Sequence, residues 1–305
     1  MSDALYQIRS YMLKMKAAAI ANPKPLEQRR AEADAAMLAS VRLPEGAAVE
    51  PVLAAGMPSL WVRAAGVPAE YRKTALYYHG GGFFSGSPET HSGFAAEISK
   101  AAGVRVLLAG YRLAPQHRYP AAHEDALAAY RWLVDSGVQS NDIVLAGDSA
   151  GAMLALATLV ALRDAGESMP AAAVLLSPWL DITDYDGESY ITRAALDPMV
   201  GLEESKRDAE YYFLSQENRE QAALLKRGLA GLPPLFVQGG DHELLLSDSY
   251  RLAERARAAG VDVTHEVWPE LWHVFQVLTA ILPEANEAVA HIGAFLREKL
   301  DIETP

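Results

Sequence analysis

Seven short runs of β-forming residues recur between residues 60 and 268, and stretches with helical periodicity separate most of them. The runs cover 60–64, 74–78, 104–109, 143–146, 171–176, 235–238 and 261–268. Most are apolar throughout rather than alternating, which a strand requires when both of its faces are covered. Helical patterns fill 120–134, 149–163, 249–259 and 284–300. In the last of these Ala285, Val289, Ile292 and Leu296 fall on one face. Strands alternating with helices predict an α/β fold, a mostly parallel central sheet with helices on both faces. A chain of 305 residues, half of them apolar, can bury a core of that size in one large domain.

Two segments break the rhythm. At the N-terminus Leu5, Ile8, Met12 and Met15 form a helical stripe, and a second helix is expected over 26–38. Asn22, Pro23 and Pro25 lie between them and interrupt the helix there. The other segment, 184–228, is polar, rich in Asp, Glu and Arg, and reads as a helical excursion between two core strands. The two together read as a lid.

The charge balance narrows the partners. Asp and Glu number 39 against 27 Lys and Arg, a formal charge of −12, which argues against nucleic acid. There is no cysteine, so disulfides, thiolate metal sites and cysteine nucleophiles are excluded. Lys14 and Lys16 interrupt the only apolar stretch near the start, and no run approaches the roughly 18 apolar residues of a membrane span. The expected location is the cytoplasm.

Three loops carry chemistry. Gly147-Asp148-Ser149-Ala150-Gly151 follows one β run and opens a helical run. A tight strand-to-helix turn of this kind exposes a serine hydroxyl, the glycines relieve its crowding, and the helix N-terminus favours developing negative charge. The motif alone is weak, and an ordinary glycine-rich helix start is the bland alternative. His79-Gly80-Gly81-Gly82-Phe83 ends another β run. Three glycines let a ligand approach the backbone, and an oxyanion is the visitor that amide N–H groups suit. A dinucleotide fingerprint would need glycine where Ser85 stands, and no Gly-Lys-Ser/Thr follows for a P-loop. Finally Gly239-Gly240-Asp241-His242-Glu243 and Trp272-His273-Val274 each lie just beyond a β run. The order serine, carboxylate, histidine is that of an α/β-type serine hydrolase.

Together with Tyr111-Arg112-Leu113-Ala114-Pro115, these segments resemble the hormone-sensitive-lipase-like family of α/β-hydrolase esterases. The likeness covers nearly the whole chain from about Val62 onward. It implies an α/β-hydrolase core over 46–183 and 229–305, with a helical cap from 1–45 and an insertion after the sixth strand at 184–228. It also implies Gly81, Gly82 and Ala150 as the oxyanion-hole amides, and a supporting role without catalysis for 111–115, Pro120 and Asp125. In such esterases the acid lies about thirty residues before the histidine. That count lands on Glu243, with Asp241 as the alternative that a motif search would choose. Phe84 and Trp179 are expected to border the substrate, and His79 to fix the glycine loop. No histidine spacing resembles a metal site.

The expected activity is hydrolysis of short-chain acyl esters by Ser149, His273 and Glu243 through an acyl-enzyme, with no metal or organic cofactor. A lactonase or amidase using the same residues is the alternative within enzymes. A non-catalytic small-molecule receptor on the same scaffold would be expected to lack the histidine. Activity should rise with pH near the unperturbed histidine value of about 6.5. The last β run is expected at a sheet edge, where a second copy could pair to form a homodimer.

Overall fold

The computed structural model of the protein describes residues 3–303. Eight strands form one sheet: β1 (Ala48–Ala54), β2 (Met57–Arg63), β3 (Thr74–Tyr78), β4 (Arg105–Ala109), β5 (Ile143–Asp148), β6 (Ala172–Leu176), β7 (Leu235–Gly240) and β8 (Val263–Trp268). Their order across the sheet is β1-β2-β4-β3-β5-β6-β7-β8. From β4 to β8 every pairing is parallel, while β1 and β2 add an antiparallel hairpin at one edge.

Parallel strands carry alternate residues to opposite faces, and both faces are apolar. Leu76, Tyr78, Leu107, Leu145 and Leu175 pack on one side among residues of α4 (Ala121–Asp135), α5 (Ala150–Ala165) and α9 (Leu246–Ala258). Ala75, Tyr77, Val106, Val144 and Val174 pack on the other, against α3 (Pro88–Ala102) and α10 (Pro283–Lys299). Burial of each large aliphatic side chain in these layers contributes about 1.5–3 kcal/mol. The expected α/β architecture is therefore present, and β8 is an edge strand as anticipated.

The sequence reading missed β1. Its Glu50 and Pro51 are exposed, and Ala55-Gly56 turns it into β2 with positive φ at both residues (49° and 81°). A proline in a half-exposed run weakens the strand signal, and an edge is where a sheet tolerates it. β2 likewise begins three residues earlier than the apolar run beginning at Leu60 implied.

Before the sheet come α1 (Asp3–Ala21) and α2 (Leu26–Ser40), broken at the expected prolines. Between β6 and β7 lie α6 (Ser189–Thr192), α7 (Leu202–Tyr212) and α8 (Gln216–Ala222). Polar contacts tie these two parts together. Lys16 Nζ donates to the carbonyls of Asp197 and Val200 at 2.7 Å each, Arg9 Nε donates to Leu196 O, and Arg29 pairs with Asp208 at 2.9 Å. On α1, Leu5 is buried, and Ile8 and Met12 pack with it against Leu271, Trp272 and Phe275. Met15 departs from the expected stripe and is 53% exposed, because the next residue, Lys16, turns inward to those carbonyls.

Candidate active site

The chain crosses from β3 to β4 on one side and returns to β5 on the other. The C-terminal ends of β3 and β5 therefore flank a switch point, the place where open α/β sheets bind ligands. Tyr78 pairs with Gly147, so the glycine loop after β3 starts level with the turn after β5. Asp148 pairs with Leu176 and Gly240 with Trp268, which brings the loops after β6, β7 and β8 to the same edge.

Ser149 sits between β5 and α5 with φ +53° and ψ −118°, a conformation that a residue with a side chain seldom adopts. A Cβ on Gly151 would stand 2.0 Å from Tyr78 O, and one on Gly147 would stand 2.5 Å from the Gly151 backbone. Both glycines are there because the turn folds back on itself. In the loop after β3, Gly81 and Gly82 have φ of +112° and +60°. Among the described residues no hydrogen bond takes up the N–H of Gly81, Gly82 or Ala150, so three donors remain for an acceptor from outside.

That loop is held from behind by groups that sequence reading did not single out. Asp148 Oδ1 accepts from Gly80 N at 2.9 Å and from Tyr77 Oη at 2.7 Å, and His91 Nε2 lies 3.7 Å away. Although burial works the other way, His91 and Tyr77 hold the Asp148 carboxyl below the usual carboxylate range. A Cβ on Gly80 would meet Asp148 Oδ2 at 2.1 Å. His79 anchors the loop as expected. Its Nδ1 lies 2.7 Å from Gly80 O, its ring stacks on Tyr111 at 4.3 Å, and Tyr111 Oη donates to its carbonyl at 2.6 Å. Burial pushes His79 down to about 3, so it serves as a neutral ring. The 111–115 segment supports the same loop, since Ala114 N donates to Phe83 O and Arg112 pairs with buried Asp125 at 2.8 Å.

On the opposite side of the site, the two candidate acids have different surroundings. Glu243 is fully buried, and its Oε2 accepts from Ser177 Oγ at 2.6 Å and from Gly240 N at 3.3 Å. Among the described residues its Oε1 is buried without a hydrogen-bond partner, and so is Nδ1 of His273. Asp241 is 38% exposed at its side chain, and its Oδ1 accepts from Glu270 N at 2.5 Å, stitching the two loops together. It lines a surface groove with Arg193, Ser247 and Tyr250. Glu243 is thus enclosed next to the loop that carries His273, whereas Asp241 is partly exposed and ties two loops together.

Burial governs the charges here. It lowers the His273 pKa, keeping the imidazole neutral, and pushes Glu243 up to about 8. Trp179 is buried beside the serine, its backbone N–H donating to Ser149 O at 3.3 Å and its ring 6.0 Å from Phe83. Phe84 lies where α2 and α7 meet the core, under the Arg29 guanidinium at 5.1 Å and edge-on to Tyr211. Among the described residues no group of three His, Asp or Glu could hold a metal ion.

The model of a family described as the alpha/beta hydrolase fold matches residues 75–277. The chain belongs to the α/β-hydrolase family. Within it, the likeness to the hormone-sensitive-lipase-like esterases extends over almost the whole α/β hydrolase. The crystal structure of an esterase from the bacterial hormone-sensitive lipase family superposes with a TM-score of 0.91 at 42% identity, covering 98% of this chain and 99% of that one. An acetyl-hydrolase from Streptomyces hygroscopicus is 44% identical over 238 residues, 78% of either chain. An esterase from Acinetobacter venetianus is 35% identical over 251 residues, 81% of each.

Proposed function

We propose that this α/β hydrolase is a serine carboxylesterase acting on short-chain acyl esters. Ser149 attacks the ester carbonyl while His273 takes its proton. Glu243 orients the imidazole and stabilises the cation it becomes, and the amides of Gly81, Gly82 and Ala150 receive the oxyanion. His273 then protonates the leaving alcohol, and water repeats the sequence on the acyl-enzyme. The observation that supports this most directly is the pair of orphaned buried atoms, Glu243 Oε1 and His273 Nδ1, on adjoining loops at the edge where Ser149 stands. One is an acceptor, and the other can only be satisfied by one when it carries the proton.

The name of one relative, acetyl-hydrolase, supports small acyl groups. We assign 1–45 and 184–228 to a cap over the 46–183 and 229–305 core, on the strength of the Lys16, Arg9 and Arg29 contacts that join the two pieces. Among the described residues no helix is long and apolar enough to cross a membrane. The cytoplasmic location expected from the sequence, and a homodimer paired through the β8 edge, stay part of this proposal. Rates on a nitrophenyl ester series from acetate to octanoate test the function. The proposal expects the highest kcat/KM at two to four carbons; no hydrolysis of any member would overturn it.

A further inference from the structure

Ser177 is fully buried in the loop after β6 and has φ +44°, a strained value for a residue with a side chain. Its N–H donates to Gln238 O at 2.8 Å, which docks the residue against β7. Its hydroxyl does two things at once. It donates to Glu243 Oε2 at 2.6 Å and accepts from Val274 N at 3.0 Å. Val274 follows His273 directly and is itself in the left-handed region at φ +52°, where a β-branched residue is an outlier. Two strained residues on different loops are thus joined through one oxygen. Such strain persists only where the surroundings over-determine it, and it clusters at working sites.

We infer that Ser177 is a positioning residue for ester hydrolysis, its hydroxyl clamping the Glu243 carboxylate to the loop that carries His273. The inference rests on the reading of Ser149, Glu243 and His273 given above. By occupying Oε2, the hydroxyl leaves Oε1 as the oxygen available to the imidazole. By holding Val274 N, it sets the backbone from which the imidazole projects. It is also the one side-chain hydroxyl donated to Glu243 among the described residues, and such a bond favours the charged carboxylate. Burial and the negative charges of Asp197 and Asp248 oppose that charge, and neither changes when Ser177 is altered. A filler of the same shape without the hydroxyl would keep the packing and lose the clamp.

The test compares Ser177→Ala and Ser177→Gly with the parent in kcat, KM and pH–rate profile on nitrophenyl acetate between about pH 5 and 9, the span that brackets the histidine and raised carboxylate titrations. Glycine suits the positive φ, so the second variant keeps a folded protein even where alanine is strained. Ser149→Ala and Glu243→Gln are run beside them. The expected result is a fall in kcat of about tenfold to a hundredfold in both Ser177 variants, the size of one lost charge-assisted hydrogen bond. KM should change far less, and the alkaline part of the rising limb should move to higher pH. Unchanged kcat and an unmoved limb would overturn the inference while Ser149→Ala and Glu243→Gln remain inactive. A loss that only follows the folded fraction, with the limb in place, would overturn it as well. Parental turnover by Ser149→Ala would instead bring down the underlying reading, and this inference with it.

Discussion

The two halves of the site are built on different principles. On the nucleophile side, the turn at Ser149 and the glycine loop are locked from several directions: Asp148 holds Gly80, Tyr111 holds His79, and Ala114 holds Phe83. Among the described residues the N–H groups of Gly81, Gly82 and Ala150 are left without a partner, and they are donors with no moving parts. On the base side, backbone stitches and Ser177 hold the loops, yet Glu243 Oε1 and His273 Nδ1 are buried without partners. The first half is finished before substrate arrives. In the proposed mechanism the second is completed when His273 gains a proton and charge gives Glu243 a partner. Preorganised dipoles cost nothing at the moment of reaction, whereas a buried carboxylate is worth most when the cation it faces exists only transiently.

The largest expected effect breaks both halves together. Ser149→Ala should cost about 10⁴-fold or more in kcat while melting temperature stays near the parent's, measured by ester hydrolysis and thermal unfolding. Gly80→Ala attacks the finished half alone. Its Cβ would fall 2.1 Å from Asp148 Oδ2, so the oxyanion loop must shift, with kcat down about 10²- to 10³-fold. The pH profile sharpens the contrast from the base side. Burial lowers the His273 pKa, so the imidazole is already neutral below the 6.5 expected from the sequence. Glu243, raised to about 8, then carries the last proton of the pair. A raised carboxylate pKa means charge is gained only as pH climbs, so activity should keep rising from pH 6.5 through about 8, where the carboxylate is half charged, and level off only above that. A plateau reached below pH 6 would contradict that ordering. The smallest effect lies in the proposed cap. Lys16→Met removes the ammonium shared by the carbonyls of Asp197 and Val200, and should raise KM for longer acyl chains by about twofold to fivefold, as loss of one polar contact does, with kcat on acetate unchanged.

Much of this was legible in the sequence because it depends on local pattern. Continuous apolar runs mean strands covered on both faces, and paired glycines around Ser149 mean a turn too tight for a Cβ. The order of Ser149, the acid and His273 follows from parallel strands delivering their loops to one edge. What escaped is what depends on neighbours far apart in the chain. β1 is disguised by Pro51, and Met15 yields its inward place to Lys16, whose carbonyl partners lie some 180 residues later. Nothing local marks Ser177, and nothing in the motif around Ser149 tells that Asp148 holds the glycine loop. A buried serine that touches Glu243 and Val274 looks in sequence like any serine before a proline. The choice between Glu243 and Asp241 turned on a spacing learned from the resemblance, and it stays part of the proposed function, supported by the burial of Glu243 beside Ser177.

The choice of acid carries the account, and one comparison tests it. Turnover numbers of Glu243→Gln and Asp241→Asn should be measured on the same ester above about pH 8, the raised value beyond which the buried carboxylate carries its charge. The account predicts a loss of about 10²- to 10⁴-fold for Glu243→Gln and less than about fivefold for Asp241→Asn. The reverse pattern, with Asp241→Asn inactive and Glu243→Gln close to the parent, would contradict it.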